Sequence, residues 1–217
     1  LNLIEKFDTS LCEKVAVGED KLDEYEDKLG TFMVKLSACE LSDADSRKVS
    51  QMLHVIGDFE RMGDHASNLM ETAQEIHDKK IRFSDAACEE INTLLAALRE
   101  ILSLTIAAFD AGDTERAAEI EPREDVKDYL IAEIKTNHIN RLKDGYCTIE
   151  LGFVLSDLLT NCERISDHCS NVAVAMIEVA EGGFETHSYI SSIKTKGEKF
   201  NHAFDEYLEK YKIPSAK

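Results

Sequence analysis

The sequence predicts an all-α fold of two pseudosymmetric antiparallel helix bundles, with a C-terminal helix as one candidate to complete the first bundle. Three observations carry that expectation. Apolar residues recur at alternating steps of three and four over stretches far longer than a strand. Helix-disrupting residues are sparse: two prolines, Pro122 and Pro214, and ten glycines in 217 residues, with no tryptophan. Finally, DFERMGDHASN (Asp58 to Asn68) recurs as NCERISDHCSN (Asn161 to Asn171), 103 positions later.

The elements follow in order. The row Ile4, Phe7, Leu11, Val15, Gly18, Leu22, Tyr25, Leu29, Phe32 and Leu36 reads as the seam of one long helix, which Gly18 and Gly30 weaken without breaking. Ser42-Asp43-Ala44-Asp45 supplies cap chemistry for a second helix, running to about His77. Ser84-Asp85 caps a third, carrying Ile91, Leu94, Leu95, Leu98 and Ile101, and Ala111-Gly112 ends it. A fourth starts at Asp113-Thr114, with Pro122 predicting a kink or an irregular N-terminus, and continues towards Leu142. A fifth covers Tyr146 to Ala180 and stops at Gly182-Gly183; the tail from Phe184 to about Tyr211 reads as a sixth.

These divide the chain into a first repeat over 1–80, a second three-helix repeat over 81–181 and a helical tail over 182–217. A weaker echo, EDKLD (Glu19 to Asp23) with EDVKD (Glu124 to Asp128), extends the duplication. It is incomplete: nothing matching the third helix precedes the EDKLD helix. Either a helix lies upstream of Leu1, or the tail folds back into the vacancy, and the balance favours the tail. A two-helix hairpin alone would leave much of its apolar seam in water. The start at Leu1, without a signal peptide, suggests a piece of something longer or a trimmed protein.

Composition narrows the function. The net charge of −18 is the opposite of the basic footprint that phosphate-backbone binding needs, which argues against nucleic-acid partners. Cations or a basic protein surface suit such a field, although solubility alone also accounts for it. No run of 18 apolar residues occurs, so no membrane span is expected. Cys12, Cys39, Cys88, Cys147, Cys162 and Cys169 form no C-x-x-C pair and read as buried free thiols of an intracellular protein.

The repeated motif carries the chemistry. Residues four apart share a helix face, so Glu60 points with Asp64, and Glu163 with Asp167. Paired like charges are costly unless a cation joins them. Oxygen-only donors select hard ions such as Mg²⁺, Mn²⁺, Ca²⁺ or ferric iron, with zinc less suited. Glu19 and Asp23 could face Glu60 and Asp64, and Glu124 and Asp128 could face Glu163 and Asp167, giving one cluster per repeat. The ordinary alternative is a solvated face, with Arg61 and Arg164 bridging to the acids. His65 and His168 turn about 100° from the neighbouring aspartate and read as capping or inter-helix hydrogen-bond groups. Asn68 and Asn171 are expected to support the metal ligands from behind. No glycine-rich phosphate loop, G-x-S-x-G or H-E-x-x-H occurs, and the protein is not expected to be an enzyme.

At DFERMGDHASN and NCERISDHCSN the sequence resembles the PhoU family, and most of all the PhoU-like domain appended to bacterial Na⁺/phosphate cotransporters. HINRLKDG (His138 to Gly145) and HSYI (His187 to Ile190) add to the likeness. The resemblance implies two three-helix bundles and metal ions, iron or other divalent ions such as Mg, Mn or Zn, on Glu60, Asp64, Glu163 and Asp167. It also implies a cytoplasmic role in controlling phosphate uptake, by contact with the membrane transporter portion of the same or a partner chain, the full-length protein sitting at the cell membrane. A homodimer is compatible with it. Two departures stand out: the first helix of the first repeat is missing or supplied from elsewhere, and Lys127 replaces a usually apolar residue.

The expectation is thus a metal-binding regulatory domain of a Na⁺/phosphate cotransporter. The alternatives are a free-standing PhoU-type phosphate-signalling regulator, a carboxylate-bridged metalloenzyme, or a helical scaffold in which the acids only form salt bridges.

Overall fold

In a computed structural model the described residues are 1–181 and 197–213, and their regular elements are all helices, without a strand. The elements are α1 (Asn2–Glu5), α2 (Thr9–Ser37), α3 (Asp43–Asp78), α4 (Asp85–Ala111), α5 (Thr114–Ala117), α6 (Ile120–Lys143), α7 (Ile149–Glu181) and α8 (Glu198–Lys210). None of these helices is long and apolar enough to cross a membrane. HSYI and the rest of 182–196 lie outside the described residues.

Local chemistry sets the boundaries. The expected single first helix is two, because Asp8 accepts hydrogen bonds from the Ser10 and Leu11 amides and so caps α2. Its apolar neighbours Ile4 and Phe7 had masked that cap. Ser42 and Ser84 cap α3 and α4 as expected, accepting from the Asp45 and Ala87 amides. Gly112 ends α4 in the left-handed region at φ 63°, where a side chain would be strained. The irregularity expected at Pro122 appears as the break between α5 and α6, which leaves proline in the first turn of α6, where its missing N–H costs little.

The second repeat is a complete bundle. Helices α4, α6 and α7 enclose Leu94, Leu98, Ile101, Ile120, Leu130, Ile134 and Leu158, all at 0% exposure. The first repeat is a hairpin, α2 against α3, and α3 packs along α7, joining the halves. No residue of α2 is fully buried. Leu11, Val15, Leu22, Met33 and Leu36 turn towards partial burial, whereas Tyr25, Leu29 and Phe32 of the expected seam are exposed, at 61, 45 and 60%. The hairpin covers one side of α2 only, so part of its apolar row stays in water.

The tail helix departs from expectation. Instead of completing the first repeat, α8 packs on α6 of the second. Glu100 on α4 accepts hydrogen bonds from the Tyr207 and Tyr211 hydroxyls and from Lys210 Nζ at 2.6 Å, and the Arg123 guanidinium lies 4.1 Å over the Tyr207 ring. Three donors at the C-terminal end of α8 thus converge on one carboxylate of α4 and anchor the helix to the second bundle. The cysteines also differ: all six are free thiols, but only Cys162 and Cys169 are buried, while Cys39 and Cys88 are exposed.

Candidate metal centre

The two acidic motifs lie at equivalent places, on α3 and α7, each facing the helix that precedes it. In the first repeat α2 presents Glu19 and Asp23, one turn apart, to Asp64 on α3. One carboxylate oxygen from each lies within 4.8 Å of the other two. Oxygens sharing one octahedral hard ion at about 2.1 Å stand roughly 3–4 Å apart, so small rotamer changes close this set on an ion. Among the described residues, no basic side chain forms an ion pair with Glu19, Asp23, Glu60 or Asp64. The electrostatics match: the Asp23 charge, with partial burial and Asp64 adding to it, pushes the Glu19 carboxyl up. Burial and the charges of Asp64, Asp23 and Glu26 push Glu60 up as well. The set therefore fits a hard cation in donor type, in convergence and in its unrelieved negative charge.

A close helix approach makes this geometry. Gly63, next to Asp64, is buried against Leu22 of α2, and a Cβ there would come within 2.6 Å of Leu22 Cδ1. Glycine lets α2 settle onto α3 at the level of the carboxylates.

The second repeat brings together the expected residues in part, and around a different centre. Lys127, with 0% of its side chain exposed, places Nζ 2.6 Å from Asp128 Oδ1, 3.0 Å from Glu124 Oε1 and 3.5 Å from Asp167 Oδ1. Burial works against the ammonium charge, but Glu124 and Asp128 outweigh it and raise its pKa, so the lysine stays protonated. Burial likewise raises the Glu124 carboxyl, against the pull of Lys127. Glu163 stands apart, 3.6 Å from Lys135 Nζ, and Arg164 reaches Asp167 at 3.5 Å. The bridging role considered for the motif arginine thus applies to Arg164.

The histidines join the repeats. His168 Nδ1 lies 2.8 Å from Asp58 Oδ1, and His65 Nδ1 lies 2.9 Å from Asn161 Oδ1. Asp58 and Asn161 are equivalent positions, so the two bonds are related by the pseudo-twofold, and the imidazole rings stack between them at 5.7 Å. This is the inter-helix role expected of them. The expectation for the asparagines does not hold for Asn171, which donates to Asp58 at 3.1 Å instead of supporting an acidic cluster. The Asp58–His168 pair was missed from sequence. Its only signal was the Asp/Asn alternation at the first position of the repeat.

The duplicated helical architecture has known counterparts. The PhoU domain pattern matches residues 1–73 and 91–176, most of the chain and both repeats. A phosphate-specific transport system accessory protein PhoU homologue of Aquifex aeolicus is 27% identical over 196 residues, covering 90% of this chain and 86% of the relative. PhoU homologue 1 of Thermotoga maritima, described in the same words, is 23% identical over 183 residues, 82% and 77% of the two chains. Among solved structures, PhoU from Pseudomonas aeruginosa superposes with a TM-score of 0.75 at 20% identity, covering 83% of this chain and 86% of that one. The phosphate transport system regulatory protein PhoU from Streptococcus pneumoniae gives 0.69 at 17% identity, covering 81% and 82%. These structures share its fold, and the pattern matched across both repeats settles the family: the chain belongs to the PhoU domain family.

Proposed function

We propose that the protein is a PhoU-type regulator of phosphate transport, acting through protein contacts and carrying a structural or signalling metal ion in its first repeat. The observation that carries the regulatory reading is the extent of the match. The chain spans 77 to 86% of relatives that are phosphate transport accessory proteins in their own right. Such relatives are little more than this domain, which favours a free-standing regulator over a domain appended to a cotransporter. The partner is then a phosphate transport system on a separate chain.

The metal reading rests on Glu19, Asp23 and Asp64, with Glu60 alongside. A hard cation there would neutralise clustered charge and clamp α2 onto α3, two helices whose contact otherwise lacks deep burial on the α2 side. The role is conformational; the reading assigns no bond-making step to the ion.

The test is phosphate uptake by cells lacking the protein, compared with cells restored with the parent or with a Glu19→Gln/Asp23→Asn/Asp64→Asn variant. Altered phosphate control in the deletion, repaired by the parent and incompletely by the variant, supports both parts. Unchanged uptake at every external phosphate concentration would count against phosphate regulation. Full repair by the variant would count against a role for the metal in it.

A further inference from the structure

We infer that Lys127 is a built-in cation that takes the place of the metal in the second repeat, so that metal binding is confined to the first. The inference deepens the metal reading above and rests on it for the first repeat only.

The alignment of the repeats carries it. EDKLD and EDVKD place Leu22 opposite Lys127, and the two copies of the longer motif place Gly63 opposite Ser166. In the first repeat Leu22 packs on Gly63 beneath the carboxylates, and the space between Glu19, Asp23 and Asp64 holds no side-chain cation among the described residues. In the second repeat the side chain at the Leu22 position is a lysine. Leu22 is half-buried, whereas Lys127 is fully buried, and its ammonium lies among Glu124, Asp128 and Asp167, the counterparts of Glu19, Asp23 and Asp64. Ser166 is fully buried beside Asp167.

The ammonium and a metal exclude each other. A hard ion needs carboxylate oxygens at about 2.0–2.6 Å. Lys127 Nζ stands 2.6 to 3.5 Å from the three oxygens such an ion would use. Two positive centres in that volume would repel strongly in a buried setting. Buried lysines without partners are costly, so a lysine at 0% exposure with three carboxylates around its nitrogen is held there by them. Lys135 on Glu163 and Arg164 on Asp167 add to the neutralisation. The arrangement makes the halves unequal: α6 and α7 are tied permanently by a covalently attached cation, while α2 and α3 are tied only when an ion is present. Only the first half can then respond to metal.

The test uses the full chain and Mn²⁺ as the probe, with bound metal measured by elemental analysis after gel filtration and folding followed by circular dichroism. The variants are Glu19→Gln/Asp23→Asn, Glu124→Gln/Asp128→Asn and Lys127→Leu/Ser166→Gly. The last restores the leucine–glycine pair of the first repeat, so the leucine has room. The parent and Glu124→Gln/Asp128→Asn should bind the same amount of Mn²⁺, and Glu19→Gln/Asp23→Asn should lose it. Lys127→Leu/Ser166→Gly should bind about twice as much as the parent, and its melting temperature should fall in chelator and recover with Mn²⁺. If that variant unfolds in chelator and refolds on Mn²⁺ addition, the inference stands equally. Loss of Mn²⁺ from Glu124→Gln/Asp128→Asn would overturn it, as would a Lys127→Leu/Ser166→Gly protein that gains no metal or stays unfolded with it. A parent that binds nothing while Lys127→Leu/Ser166→Gly binds Mn²⁺ would sink the metal reading of the first repeat and leave the role of Lys127 intact.

Discussion

Replacing Glu100 with glutamine should release α8 from the second bundle. Among the described residues, Glu100 is the shared acceptor for Tyr207, Tyr211 and Lys210. Burial pushes its carboxyl up, but the hydrogen bonds from Lys210, Tyr207 and Tyr211 outweigh this and hold it at about 2, against an ordinary 4.5. A shift of that size corresponds in full to roughly 3 kcal/mol. The Lys210 and Glu100 side chains are 52% and 32% exposed, so solvent screening leaves about 1 kcal/mol for docking. The sign follows from the depressed value: the contribution is fully present above the ordinary carboxyl range and drains away as pH falls from about 4.5 to about 2. Hydrogen exchange across Glu198–Lys210 is the assay. The parent should lose protection of α8 in that acid window before the α4–α6–α7 core opens. Glu100→Gln should show about fivefold faster exchange in α8 at neutral pH and a flatter acid response. Equal α8 protection in both proteins at every pH would refute the reasoning.

Other perturbations test the scaffold. Arg141→Ala should cost about 3–5 kcal/mol in denaturant unfolding, because it strands Glu90, 3% exposed, without the paired 2.7 and 2.8 Å bonds of the guanidinium. Arg141→Met with Glu90→Leu should recover much of that loss. Gly63→Leu should force α2 off α3, destabilising by about 1–3 kcal/mol and weakening metal retention, whereas Gly63→Ala should be milder because the Leu22 methyl can turn aside. In thiol labelling of the native protein, Cys39 should react promptly. Cys162 and Cys169, buried and pushed up to about 12, should react only on unfolding.

Much of the fold was legible because the signals were local. Ser42, Ser84 and Gly112 mark helix ends by side-chain and backbone chemistry that needs no tertiary context. The motif duplication likewise pointed to two related halves. What escaped depended on contacts between distant segments. Asp8 sits inside a continuous apolar row, which hides its role as the cap of α2. The docking of α8 is decided by Glu100, 107 positions away from Tyr207, and no periodicity in the tail announces that partner. In the candidate site, helical spacing pairs Glu19 with Asp23 and Glu60 with Asp64, and only the packing of α2 on α3 brings Glu19, Asp23 and Asp64 within reach of one ion. Lys127 was visible in the sequence as an oddity, but a lysine one residue from an acid is usually solvated. Only the packing of α6 against α7 shows that its nitrogen is enclosed by carboxylates. The exposed Tyr25, Leu29 and Phe32 show the limit of the same logic, since periodicity marks a face fit for burial without naming what buries it.

The most direct test of the central claim is metal content of the full chain, purified without chelator and compared with a Glu19→Gln/Asp23→Asn/Asp64→Asn variant and a Glu124→Gln/Asp128→Asn/Asp167→Asn variant of verified fold. The account predicts stoichiometric hard metal in the parent, the same amount in the second-repeat variant, and none in the first-repeat variant. Metal that persists without Glu19, Asp23 and Asp64, or that leaves with Glu124, Asp128 and Asp167, would contradict it.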